Sequence, residues 1–365
     1  MINFRYPLRK CRLPLASEIM PYLEQIDANQ WYSNFGPLSI EFEKRLAVRF
    51  GLEEGQVQLV SSATTGLYLA LSALDLPEGS FCAVPSLTFP ATVLAVRLAG
   101  LTPFFIDIDP DSLTISADAV LHAAGNCEIS AAIPVSFFGI PLEAEHWLEV
   151  LKDSGIKTVF DAAWCFDNLK PSVIPSIVSL HATKILGIGE GGFVTCLDRD
   201  IIQAVRRNIN FGMNMERDIV SAGVNGKMSE YSAAVGLAAL DGWDDRRSIL
   251  AALQDAYLTE LEHVCGLRVI PTNMKQRLSG SICVILDQPP NEKFTQTLKD
   301  HSIEARYWWT APCHTHSAFS KLPHPDMSVT NDVSSRIINL PFYEGLSGKD
   351  VEYIANVLSR ALRSS

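Results

Sequence analysis

The chain has 365 residues, 47% hydrophobic and 19% charged, with a formal net charge of −11; that is enough for one large core and a smaller second lobe. The acidic balance, with no Lys/Arg cluster to offset it, argues against nucleic acid as a partner, and no apolar run reaches the roughly 18–20 residues needed to span a membrane. The start of the chain lacks the long apolar stretch of a secretory leader, so a cytoplasmic location is expected, and eight scattered cysteines with no C-x-x-C pair lead us to expect reduced thiols and no metal.

In chain order, a strand is expected over 56–60, a helix over 65–74, a strand over 81–85 and a helix over 90–99. Strands over 102–107, 131–135, 157–161 and 174–179 continue the series. Such alternation implies βαβ units and an α/β fold whose mostly parallel sheet is covered by helices. One long helix is expected over 233–261, then a strand over 281–286 and a closing helix over 348–358. The expected division is a large domain over 13–240 and a smaller C-terminal α+β domain over 241–365, with residues 1–12 packing on either.

Ligands of such sheets collect at the carboxyl ends of the strands, and Ser61, Asp161 and Ser179 all fall at that edge. Lys184 sits between the hydroxyl of Thr183 and the turn Gly189-Glu190-Gly191-Gly192. A desolvated, neutral lysine there can attack an aldehyde carbon. Asp161 can pair with a protonated ring nitrogen or serve as an ordinary turn former. The small residues Ser61 to Gly66 open a helix, whose free N–H groups and dipole would face an anion. Thr64, Thr65 and Ser179 can add hydroxyls, or the first two can simply cap the helix. Phe89, between a strand and a helix at the same edge, can stack on a ring or belong to the core.

The Lys184 segment resembles the lysine segment of pyridoxal-phosphate enzymes. In order along the chain, Ser33-Asn34-Phe35-Gly36-Pro37, Val60 to Leu67, Pro85 to Thr92, Phe105 to Pro110, Pro134 to Gly139, Asp161-Ala162-Ala163, Ser179 to Lys184, Gly223 to Glu230 and Leu340-Pro341 are similar to motifs of the DegT/DnrJ/EryC1/StrS aminotransferases. The resemblance covers nearly the whole chain. It implies the aspartate aminotransferase type I fold, a homodimer with shared active sites, and an enzyme of the transaminase class. Pyridoxal 5'-phosphate would be the cofactor, with pyridoxamine 5'-phosphate as its aminated form. Lys184 would be catalytic, and Asp161, Thr64, Thr65, Phe89, Ser179 and Trp164 would bind the cofactor. Asn225 would reach the cofactor phosphate of the partner subunit.

The same resemblance implies L-glutamate as amino donor, leaving as 2-oxoglutarate, and a nucleoside-diphosphate keto-sugar as acceptor, as in O-antigen and other deoxyamino-sugar biosynthesis. The preferred acceptor is dTDP-4-keto-6-deoxyglucose, aminated at C-4; C-3 amination of a dTDP-3-keto-6-deoxyhexose is the alternative. Tyr307, Trp308, Trp309, Arg306, His314 and His316 offer stacking and charge for that substrate. Related sugar dehydratases carry His in place of the lysine, which Lys184 argues against, and a catalytically silent ligand-binding protein is a further alternative that the Lys184/Asp161 pair disfavours. The chain departs from the family at Trp164, where His or Gln is usual; an indole N–H donates a hydrogen bond and accepts none. Ala63, Ser136 and Lys227 stand where Gly, His and Arg are frequent.

Overall fold

The computed structural model describes residues 4–270, 277–306, 309 and 311–363. Its central layer comprises β1 (Val57–Val60), β2 (Phe81–Pro85), β3 (Thr102–Ile106), β4 (Ile129–Ala132), β5 (Lys157–Thr158), β6 (Phe160–Asp161), β7 (Ser176–Ser179) and β8 (Gly192–Thr195). Two ladders, β3-β2-β4-β5 and β6-β7-β8-β1, meet where Val135 bridges Asp161 and the Val159 N–H donates to the Ala132 carbonyl. β5 and β6 are thus halves of one strand line that changes partner at Val159. Pairings among β2, β3, β4 and β5 and between β6 and β7 are parallel, while β8 runs antiparallel to β7 and β1.

Successive strand residues point to opposite faces, and two cores follow from that alternation. Val60, Ile177 and Val194 pack with Leu67, Val93 and Ile202 on one face. Leu59, Val178 and Phe193 pack with Phe42, Leu237 and Trp243 on the other. The second core runs on into an antiparallel sheet of β9 (Leu267–Ile270), β10 (Ile282–Leu286) and β11 (Ile337–Leu340), order β11-β10-β9. The closing helix Gly348–Arg363 covers it through Val351, Ile354 and Leu358. No helix among the described residues is long and apolar enough to cross a membrane.

Two expectations change. The helix expected over 233–261 is two, Glu230–Asp241 and Trp243–Leu261. Gly242, a poor helix former, separates them, and Trp243 turns fully inward against Phe166, ring centroids 5.0 Å apart. The strand expected over 131–135 ends at Ala132; Pro134 has no N–H for a ladder, although its carbonyl accepts the Asp161 N–H at 3.1 Å. Residues 6–8 dock on the C-terminal part: Tyr6 exchanges backbone hydrogen bonds with Ser302 and Glu304, and Leu8 accepts from the Phe342 N–H. One buried carboxylate organises a helix start. Glu230 accepts the N–H groups of Leu38 (2.7 Å) and Ser39 (2.9 Å) and the Ser39 hydroxyl, satisfying the start of helix Pro37–Arg49.

Candidate active site

A cavity of about 460 Å³ opens at the carboxyl ends of β1, β2, β6 and β7, lined among others by Thr64, Phe89, Asp161, Trp164, Ser179 and Lys184. Asp161, the last residue of β6, is buried. Its Oδ2 accepts the Thr92 hydroxyl at 2.7 Å and its Oδ1 the Ala163 N–H at 3.2 Å. Thr92 spends its proton on Asp161 and so accepts from Thr88, 2.7 Å away. Burial pushes the Asp161 carboxyl above its usual value, opposed by these hydrogen bonds and by Lys184. A buried carboxylate that faces a cavity with only neutral donors on it is short of a cation.

Lys184 follows a turn closed by its own N–H donating to the His181 carbonyl at 2.8 Å. Its Nζ makes no hydrogen bond among the described residues and lies 3.4 Å from the centroid of the Trp164 ring. Burial, and then the charge of Arg9, hold the amine well below the ordinary lysine value, with Asp161 acting the other way. An unbonded amine therefore faces the cavity with its protonated form disfavoured, the direction a nucleophilic lysine requires.

The anion cup is built at the N-terminus of helix Ala63–Ser72. Ser62, Ala63 and Thr64 line the cavity, while the Ser62 hydroxyl accepts the Thr65 N–H at 3.1 Å. Gly192 lets the helix start approach β8, since a Cβ there would lie 2.8 Å from the Val178 oxygen and 2.9 Å from the Ala63 nitrogen. The Ser179 hydroxyl accepts the His181 N–H at 3.3 Å, which leaves its own proton for a ligand. Thr65 is not on the cavity wall: its hydroxyl turns to Ser61 (3.3 Å) and Ser62 (3.0 Å), so it closes the cap instead.

Phe89 stands in the wall with 58% of its surface exposed, open to stack on a ring. Trp309 joins it, stacked on Phe138 at 5.7 Å. His314 does not reach the cavity: its Nδ1 is 2.7 Å from the Ser86 hydroxyl, on a turn docked against the strand end of β2. His316 is exposed on that turn and Arg306 is tied to Glu304; Tyr307 and Trp308 lie outside the described residues. Asn225 is exposed beside Gly226, whose carbonyl accepts the Ser61 N–H at 2.8 Å; it flanks the cup without lining it. Lys227 bonds the Asn210 carbonyl oxygen of its side chain at 3.0 Å, and Ser136 donates to the Ile140 carbonyl.

Several neighbours have no counterpart in the sequence reading. Thr88, just ahead of helix Pro90–Leu98, and Thr92 in its first turn form the hydroxyl chain to Asp161. His181 and Glu190 line the cavity, with Nε2 and Oε1 3.6 Å apart. Arg9, far away in sequence, arrives behind Trp164 with no pattern to announce it.

Residues 14–359 match the DegT/DnrJ/EryC1/StrS aminotransferase family. The chain belongs to that family. It is 31% identical over 362 residues to the dTDP-4-amino-4,6-dideoxy-D-glucose transaminase of Shigella dysenteriae, covering 95% of this chain and 96% of the relative. A crystal structure from Bacillus cereus ATCC 10987, described as a PLP-dependent aminotransferase, superposes with a TM-score of 0.89 at 30% identity, over 96% of this chain and 99% of that one. DesI, crystallised in the presence of its TDP-sugar product, gives 0.88 at 29% identity over 100% and 95%. The fold is accordingly the α/β fold of pyridoxal-phosphate-dependent aminotransferases, as the sequence resemblance implied. This aminotransferase uses pyridoxal phosphate, and its site suits that group: a buried carboxylate lacking a cation, an amine lacking a hydrogen-bond partner, and a helix N-terminus share one cavity.

Proposed function

We propose that the chain transfers an amino group from L-glutamate to a nucleoside-diphosphate keto-sugar, preferentially dTDP-4-keto-6-deoxyglucose at C-4, giving dTDP-4-amino-4,6-dideoxyglucose. The observation that carries the reading is that the Lys184 amine, its protonated form disfavoured, and the buried Asp161 carboxylate line one cavity. The name of the Shigella dysenteriae relative supports the sugar and its position. Bound pyridoxal phosphate supplies an aldehyde and an electron-withdrawing ring that carry the amino group from donor to acceptor.

The protein's residues supply the rest. Asp161 would hold the ring nitrogen protonated, kept in place by Thr92. The N–H groups that open helix Ala63–Ser72, with Thr64 and Ser179, would hold the phosphate, and Phe89 would lie on the ring face. Lys184, displaced by substrate, would move a proton as a general base, work that requires the free amine. Trp309 is the member of the expected substrate shelf that borders the cavity.

We also propose a homodimer in which Asn225 completes the partner's phosphate site. Exposed Phe211, Met215 (97% accessible), Ile219 and Val224 precede Asn225 in sequence, apolar side chains of the kind that subunit contacts cover. Residues 13–240 and 241–365 would form the larger and smaller domains; the helix break at Gly242 and the separate antiparallel sheet after it favour that division.

One experiment addresses the reaction. Purified protein is given pyridoxal phosphate and glutamate, then dTDP-, UDP- and GDP-linked keto-sugars, and the new amine is located by NMR. A visible absorption band bleached by glutamate, followed by an amine at C-4 of the dTDP sugar, is expected. An amine at C-3 would move the regiochemistry to the alternative. A protein left colourless by added cofactor would sink the transaminase reading.

A further inference from the structure

We propose that Arg9 is the positioning residue of the lysine site: its guanidinium, tied to the backbone on two sides, braces the indole of Trp164 on which the Lys184 amine rests. The inference rests on reading Lys184 as the amine that bonds the cofactor. Arg9 Nη1 donates to the Thr183 carbonyl at 3.1 Å and Nη2 to the Gly280 carbonyl at 2.7 Å. Its Cζ lies 4.6 Å from the centroid of the Trp164 ring, and Lys184 Nζ lies 3.4 Å from that ring. Thr183 immediately precedes Lys184. Gly280 touches the indole from the opposite side of the chain, for a Cβ there would fall 2.4 Å from Trp164 Cε3. Arg9 thus joins the lysine turn, Gly280 just ahead of β10 and the N-terminal segment around one ring.

Stability alone does not account for this arginine. Its Nε is enclosed without a hydrogen-bond partner, and no carboxylate pairs with it among the described residues. An unpaired buried cation is costly. A planar fork that grips two carbonyls while stacking on an aromatic face is specific to arginine, and the charge lies close to an amine that must stay neutral. Arg9 itself is lowered by burial to about 10, so it remains charged at neutral pH and disfavours a second positive charge on Lys184. Other groups around Lys184 are Asp161, which acts in the opposite sense, and His181 and Glu190 on the cavity side. On the far side stand Lys10, Cys11, Tyr343 and the ion pair of Arg246 with Glu344, Nε to Oε1 2.6 Å.

The test uses cofactor-free full-length protein. Acylation of Lys184 is followed against pH by peptide mass spectrometry in wild type, Arg9→Met and Arg9→Lys. Loss of the charge in Arg9→Met is expected to raise the midpoint by about one pH unit, a roughly tenfold slower reaction below it. Arg9→Lys keeps the charge but loses the fork: its midpoint should stay near wild type while bonding of added pyridoxal phosphate slows by about tenfold. An unchanged midpoint in folded Arg9→Met overturns the proposal. Should Arg9→Met fail to fold, Arg9→Lys decides, and wild-type bonding of pyridoxal phosphate in that variant overturns it. Wild-type protein that acylates at Lys184 but never bonds pyridoxal phosphate would instead defeat the transaminase reading; the midpoint comparison would still judge Arg9.

Discussion

The Lys184 amine is set over the face of the Trp164 ring, 3.4 Å from its centroid. The indole fills the space that Gly280 leaves open and packs edge-on against Phe138 at 5.3 Å. Trp164→Gln replaces the ring with a shorter polar side chain and empties that volume. Denaturant unfolding of the cofactor-free protein should register a loss of about 3 kcal/mol. A loss within experimental error would mean that the ring is not part of the packed wall.

Thr92 controls Asp161. Burial has already raised this carboxyl, and Thr92→Val deletes the hydroxyl that donates to Oδ2 at 2.7 Å. Losing a donor to a charged acceptor costs about 1.5–3 kcal/mol, so the carboxyl moves higher still. Because only the ionised carboxylate can pair with a protonated ring nitrogen, the acid limb of kcat/KM should shift to higher pH by about one unit, roughly tenfold less activity along that limb. Thr92→Ser should leave the limb where it is. A Thr92→Val profile that superposes on wild type would remove Thr92 from this role.

A depressed lysine also affects folding. Between the lowered folded value of Lys184 and the ordinary unfolded value near 10.4, the unfolded chain binds the extra proton. Stability from this group therefore rises with pH across that window and is lowest beneath it. Lys184→Met should accordingly raise the melting temperature of cofactor-free protein at pH 7, and the advantage should shrink as pH approaches 10. A constant difference across that range would contradict the buried neutral amine.

The sheet edge was legible because strand–helix alternation puts the carboxyl ends of the parallel strands on one side, and Thr64, Phe89, Asp161, Ser179 and Lys184 lie at or shortly after strand ends. Their common cavity is a consequence of topology that periodicity can report. Arg9 was not legible: its partners Thr183 and Gly280 lie 174 and 271 residues away, and burial patterns say which face turns inward without saying which distant segment docks there. His314 misled for the same reason, since its partner is Ser86, 228 residues away. Thr65 misled differently: capping and anion binding use the same residue types, and only geometry separates Thr64 in the wall from Thr65 in the cap.

Glu230 supports the fold at a distance from the cavity. It is buried and its carboxylate takes the Leu38 and Ser39 N–H groups at the start of helix Pro37–Arg49, where Gly36 provides no side-chain cap. Glu230→Ala leaves these donors buried without an acceptor, at a cost of about 2–3 kcal/mol. Glu230→Gln, which still accepts through one oxygen, should lose less. Thermal unfolding of the two variants should rank them in that order; equal melting temperatures would show that the charge-assisted bonds contribute little.

Asn225 tests the shared site. It is exposed on its own subunit and flanks the anion cup through Gly226, yet it is absent from the cavity wall. If it serves the partner's phosphate, Asn225→Ala weakens binding of pyridoxal phosphate by about tenfold or more, as expected for a lost hydrogen bond to a charged group. Lys184→Ala abolishes turnover in its own site. Mixing the two inactive or weakened homodimers and allowing subunits to exchange creates heterodimers with one intact site, in which Lys184 comes from one chain and Asn225 from the other. At limiting cofactor, activity should recover to about a quarter of wild type for random pairing in a twofold dimer. Were Asn225 to act within its own subunit, neither site of the heterodimer would be intact, and mixing would restore nothing above the Asn225→Ala level.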